Sequence, residues 1–168
     1  TAKTELARRE LEFVIPAKSS ANVASVAVIA MDDAGEISIG VERRHLPAPQ
    51  LREGDSEICV LPAFRLPAAI ATPEKAAEYV AAKFLQPRRA VTKLGEGYFS
   101  SLGMTPERVY PYALVLDSMS DVFQLSEMLE FVPLREIFAD LEKVRDMHLI
   151  ISSLRAIHAL DLWGSFQP

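Results

Sequence analysis

The side chains with chemical potential in this 168-residue chain are a few acids, several arginines and one aromatic pair. Glu74 and Glu78 stand four residues apart, which on a helix places them on one face, one turn from each other. They could form a weak site for a divalent cation or an acid/base pair, although hard cations need several such ligands. The plainer reading of Glu74 is an acid favoured by the first turn of a helix, and of Glu78 a solvated surface acid. Arg44 (flanked by Arg43 and His45), Arg65 and Arg108 carry the planar fork that suits bidentate contact with a diphosphate, against the plainer role of surface charge. Tyr98 and Phe99 could stack on a base or fill a core. Glu107 and Arg108 lie within a glycine-punctuated stretch, residues 95–116, where Gly95, Gly97 and Gly103 fall within nine residues. Such spacing calls for unusual dihedrals or close backbone approach. Loops held by rigid strands are where binding groups tend to sit.

Other chemistries find little support. Cys59 is the single cysteine, so no internal disulfide forms, and its apolar neighbours give it the reading of a core residue. His148 and His158 are not spaced for a metal site on one helix face, and no Ser-His-Asp pattern, Cys-x-x-Cys pair or P-loop is present. A net charge of −5 leaves no footprint for nucleic acid or an acidic membrane. The 49% apolar and 24% charged fractions are ordinary for a globular domain, and the length suits one domain with a real core. No apolar run reaches the ~18 residues that span a bilayer. The first residues do not read as a signal peptide, and a cytoplasmic setting is expected. The chain opens on Thr rather than Met, which suggests processing, trimming or excision from a longer chain.

The elements that must position these groups follow from patterning. Residues 1–20 read as an N-terminal extension, with a short helix over 5–13 or a strand over 11–15 ended by Pro16. Residues 21–168 read as a single domain. Residues 23–31 are almost wholly apolar and read as a strand buried on both faces. The Asp32-Asp33-Ala34-Gly35 turn and the alternation of Ile37, Ile39 and Val41 complete a β-hairpin. Pro47 and Pro49 open a loop to about residue 55. Residues 57–61 read as a third strand, and 62–73 as a connection rich in Pro and Ala. Thr72-Pro73-Glu74 is a helix start. The helix, to about residue 85, has an apolar face of Ala76, Ala77, Val80, Ala81 and Phe84, and Pro87 to Arg89 close it. Residues 91–94 read as a short strand, and Tyr98-Phe99 as a bulge or short edge strand. Residues 109–116 read as a strand whose Pro111 suggests an edge or a bulge. The remainder is expected to be helical: a short turn over 125–131, a helix over 134–144, and a last helix from 147 to about 162. That helix, capped by Asp146, has Leu149, Ile150, Leu154, Ile157 and Leu160 facing inward and Trp163 anchoring its end.

This order fits a mixed α/β sandwich, and three local runs narrow it. Val60-Leu61-Pro62-Ala63 and Thr72-Pro73-Glu74-Lys75-Ala76-Ala77 resemble the approach to, and start of, the catalytic helix of the Nudix hydrolases. The run from Leu94-Gly95 through Ser101-Leu102-Gly103-Met104-Thr105-Pro106-Glu107-Arg108 resembles the loop of the ADP-ribose and nucleotide-sugar pyrophosphatase branch. The similarity covers about residues 22–162. It implies a Nudix-type α/β/α sandwich with a mixed sheet, and a loop acid, Glu107, near a diphosphate or its metal. It implies ligand contacts from Arg44, Arg65, Gly103, Glu107, Arg108 and Tyr98, and a homodimer, as is frequent in that branch.

The departure from the family is in the helix. Its carboxylates hold Mg²⁺, which stabilises charge on a diphosphate attacked by water. Registered on Ala76-Ala77, this chain places Val80 where the Arg-Glu acid belongs, Lys83-Phe84 where the Glu-Glu pair belongs, and Phe64 at the first glycine. A shift of one residue adds no acid. The expected function is therefore a non-hydrolytic module without metal. It would bind an ADP-ribose-like nucleotide diphosphate or a protein partner. The alternative is an Mg²⁺-dependent pyrophosphatase using Glu107, Glu78 and Glu74.

Overall fold

The structure is a computed structural model that describes residues 2–6, 9–13, 22–45, 57–70, 72–84, 90–100 and 107–166. Strands β1 (Ala2–Leu6) and β2 (Arg9–Phe13) pair antiparallel, so the short helix expected over 5–13 does not form. The expected loop after Pro47, the segment Pro87 to Arg89, and residues 101–106 with Gly103 lie outside the described residues.

The eight-stranded sheet is built on β3 (Asn22–Met31), whose residues from Val23 to Ala30 are buried. Its even-numbered residues Ala24, Val26, Val28 and Ala30 enter one core, while Ala27 and Ile29 enter the other. Period-two alternation sends successive side chains to opposite faces. The hairpin turn forms as read. Asp32 Oδ1 accepts hydrogen bonds from the backbone N–H groups of Ala34 and Glu36 at 2.9 and 2.8 Å, and Gly35 takes φ +82°. β4 (Ile37–His45) returns antiparallel, with Ile37, Ile39 and Val41 in the second core. β5 (Glu57–Val60) extends from the far half of β4. Within the expected connection, Ala63–Arg65 forms β6 on Val23–Ser25 of β3. Three residues between prolines carry too little periodicity to announce a strand.

Helix α1 (Pro73–Lys83) starts as the sequence indicates, with the Thr72 hydroxyl accepting from Lys75 N at 3.4 Å. Ala76, Val80 and Phe84 bury against the even face of β3. β7 (Val91–Lys93) and β8 (Tyr98–Phe99) both pair antiparallel with β9 (Arg108–Leu116). β9 runs parallel to β3 over nine aligned pairs, Asn22 with Arg108 through Ala30 with Leu116. It is therefore a central strand rather than an edge, and of the two readings of Pro111 the structure has the bulge. Four residues of the β7–β8 segment, 94–97, face only Tyr110 and Pro111, so that segment bulges. Leu94 N donates to Pro111 O at 2.8 Å, which places the proline nitrogen on the same side, toward the bulge. The missing N–H falls where the ladder is already broken.

Helix α2 is Met119–Leu125, earlier than expected, and the region expected as a helical turn instead yields β10 (Glu130–Pro133). β10 satisfies the backbone groups of β4 at residues 38–41. The turn before it brings Leu129 over Gly40, where a Cβ would stand 2.8 Å from Leu129 Cδ1 and 3.3 Å from Val28 Cβ. Helix α3 is shorter than expected, Leu134–Ala139, and a 3₁₀ turn, Leu141–Lys143, follows it. Helix α4 (Met147–Ala159) covers the odd face. Its buried line is Leu149, Ser152, Ser153, Ala156 and Ile157, whereas Leu154 is 41% exposed and Trp163 51% exposed. The 3.6-residue period selects small residues there, allowing close approach to the sheet, and leaves Leu154 and Trp163 outside. Gly40→Ala should destabilise the domain by about 1–3 kcal/mol, because Leu129 and Val28 must both give way. Denaturant unfolding checks this.

Candidate functional site

Of the three residues that the resemblance aligns with metal ligands, Val80, Lys83 and Phe84, two are core residues. Val80 is fully buried and Phe84 nearly so, and Phe84 packs against the Phe64 ring at 6.3 Å between centroids. Lys83 is exposed and sets its ammonium 5.3 Å from the Tyr79 ring centroid. These side chains offer no oxygen donor to Mg²⁺, so the residues present do not fit that ion. Glu74 and Glu78 are exposed on α1. The Glu74 carboxyl is held below the usual carboxylate range by its own backbone N–H and then by the Thr72 hydroxyl.

Glu107 is engaged elsewhere. Its Oε2 lies 2.9 Å from a guanidinium nitrogen of Arg65, and its Oε1 accepts from Ser100 Oγ at 2.9 Å. Arg65 alternates with Phe64, which packs under α1, so the Arg65–Glu107 pair lies on the other face of the sheet. The three candidate acids do not converge. Among the described residues, no group of three or more His, Cys, Asp or Glu is placed to hold a metal ion.

Tyr98 shares the α4 side. Its hydroxyl lies 2.7 Å from His148 Nδ1, and Ser25 and Ser152, themselves 3.0 Å apart, stand beside it. Burial, more than any other cause, raises the phenol above its ordinary pKa, so it stays neutral at physiological pH. Arg155 of α4 lies 5.5 Å from the Tyr98 ring centroid and donates to the carbonyls of Leu94 and Glu96 at 3.2 and 2.5 Å. Asp146 caps α4 at His148 N and also accepts from Leu61 N at 2.6 Å. Tyr98 thus pins the β7–β8 bulge to α4. Arg44, at the β5 end of β4, pairs with Glu42 of its own strand.

Arg108 is the expected ligand residue on the α1 side. It aligns with Asn22 on β3 and Phe99 on β8. Its guanidinium lies 5.4 Å from the Tyr110 ring centroid and reaches Glu96 at 3.5 Å. Beside it a cleft of about 180 Å³ opens between the start of α1 and the sheet, lined by Asn22, Leu66, Ile70, Thr72, Tyr110 and Tyr112, with Ala76. The sequence reading passed over Tyr110 and Tyr112 as strand residues. Their i, i+2 spacing next to Arg108 is the signal that could have found them.

No family model matches the sequence, and none of the curated proteins matches it. Among solved structures, a MutT/Nudix family protein from Listeria innocua superposes with a TM-score of 0.59. The match covers 92% of this chain and 100% of that one, at 10% identity. The mixed sheet between α1 and α4 is thus a Nudix-type α/β/α sandwich. Among the described residues, no helix is long and apolar enough to cross a membrane.

Tyr98→Phe should cost about 1 kcal/mol through the lost hydroxyl contacts. Thermal unfolding measures the cost, and amide exchange should quicken selectively over residues 94–100. Val80→Glu, which puts an acid where the resemblance aligns one, should destabilise by at least ~3 kcal/mol, because the carboxylate is buried without a partner. Stability unchanged by that substitution, with new Mg²⁺ affinity, would contradict the core assignment.

Proposed function

We propose that this domain is a non-hydrolytic Nudix-fold module that binds a nucleotide diphosphate of the ADP-ribose kind. The observation that carries this reading is the burial of Val80 and Phe84 in the α1 core, where a hydrolase of this fold needs carboxylates. A diphosphate bound without a metal must be neutralised by cations alone. Arginine suits that task through paired N–H donors, and Arg108 stands beside a cleft. One observation favours a protein partner as a second reading. Phe123 is 80% exposed and Met128 48% exposed, near the edge strand β10. Exposed aromatic and Met side chains are enriched in interfaces.

ADP-ribose incubated with the protein should give no product, with or without Mg²⁺ or Mn²⁺. At about 100 times its Kd the same compound should raise stability by about 2.7 kcal/mol, read as a rise in Tm. Metal-dependent turnover lost on Glu107→Ala would overturn the non-hydrolytic reading. The absence of any shift with nucleotides would favour the protein partner.

A further inference from the structure

The α1 face of the sheet collects features that neither the catalytic helix nor the Glu107 loop accounts for. Lys93 on β7 aligns with Tyr112 on β9, and Tyr110 and Arg108 continue the same face along β9. Two cations from two paired strands therefore share a sheet face with Tyr110 and Tyr112, which line the cleft. Between them lies a single loop acid. Glu96, its side chain 79% exposed, contacts Lys93 Nζ at 3.2 Å and Arg108 at 3.5 Å. Arg155 holds the Glu96 backbone by its carbonyl, so the carboxylate can leave without unravelling the loop. Glu74 is the other acid near this face, close enough to act electrostatically on both Lys93 and Tyr112.

Arg108 packs closely against the bulge and the Tyr110 ring. A Cβ on Gly97 would stand 2.9 Å from Arg108 Nε and 3.0 Å from the Tyr110 ring, so glycine at 97 leaves room for the guanidinium beside the bulge. Its Nε is buried there with no hydrogen-bond partner among the described residues. A group held in its binding geometry before the ligand arrives loses little entropy on binding. The cleft itself, about 180 Å³, is smaller than the roughly 300–1,000 Å³ that enclose a whole drug-sized ligand. It therefore takes one ring system and leaves the rest of the molecule at the rim. Its lining is aromatic and aliphatic apart from Asn22 and Thr72, whose hydroxyl caps α1.

We infer that this cleft, on the face opposite Arg65 and Glu107, is where the nucleotide diphosphate binds. The ring lies against Tyr110 and Tyr112, and the diphosphate displaces Glu96 from Lys93 and Arg108. The inference rests on the nucleotide-binding reading and adds the site and its internal competitor. Glu96 acts as a tethered anion that keeps the two cations paired until a more highly charged group replaces it.

Isothermal titration with ADP-ribose in metal-free buffer tests this. Lys93→Gln and Arg108→Gln should each weaken binding about tenfold, the size of one charge-assisted hydrogen bond. Glu96→Gln should tighten it about threefold by removing the competitor. Ala76→Leu narrows the cleft and should weaken both ADP-ribose and adenosine, while Lys93→Gln should weaken only ADP-ribose. The Lys93 and Glu96 variants change partly or largely exposed side chains, so they report even if Ala76→Leu unfolds the domain. Binding that survives Lys93→Gln and Arg108→Gln but falls with Arg65→Gln would overturn the site and leave the binding function standing. A wild-type protein that binds neither ADP-ribose nor ADP would overturn both.

Discussion

The parallel pairing of β3 with β9 is the constraint on which the rest of the structure depends. Nine residue pairs align without interruption, and the β3 residues from Val23 to Ala30 are buried on both faces. Parallel strands covered on both sides need apolar residues at every position, and β3 and β9 nearly supply them. Because side chains alternate with a strict period of two, one register decides the face of every residue on both strands. Even-numbered residues meet α1 and odd-numbered ones meet α4. The buried hydroxyl pair of Ser25 and Ser152 is the polar exception, and it satisfies itself across the sheet–helix contact.

That parity also partitions the chemistry. Glu107 and Tyr98 lie close in sequence to Arg108 and Tyr110, yet they work on the other side of the sheet. On the α4 side, Glu107 holds Arg65 and Ser100, while Tyr98, His148 and Arg155 anchor the β7–β8 bulge. On the α1 side, two tyrosines line a cleft, and Lys93 and Arg108 on the same face are bridged by one exposed acid. The bulge between β7 and β8 links the two sides. Its backbone is held by α4 through Arg155, while its Glu96 side chain faces the cations beside the cleft.

Much of the fold was legible because its signals are local. The β3–β4 hairpin followed from an apolar run, a turn with an aspartate that bonds its own backbone, and alternation in β4. The start of α1 at Thr72-Pro73 and that of α4 at Asp146 followed from capping chemistry. The elements that sequence missed lack such signals. β6 is three residues long, and β10 reads as part of a helical turn until the open edge of β4 is there to pair with it. Pro111 pointed to an edge or a bulge, and the sequence could not choose between them. A broken ladder on one side of β9 can accept a missing N–H as readily as solvent can, and only the neighbouring strands reveal that break.

The sequence by itself determined the class of sandwich and which side chains α1 can offer. Valine, lysine and phenylalanine at positions 80, 83 and 84 cannot ligate a hard cation in any packing, since ligand chemistry belongs to the side chain. Tertiary structure alone decided which of the remaining charged residues act together. Arg44, Arg65, Glu107, Arg108 and Tyr98 are a single set along the chain. The sheet separates them, sending Arg65, Glu107 and Tyr98 to one face and Arg108 to the other, and leaving Arg44 on Glu42. Contact between residues far apart in sequence depends on strand register, and register is set by cores on both faces rather than by any one segment.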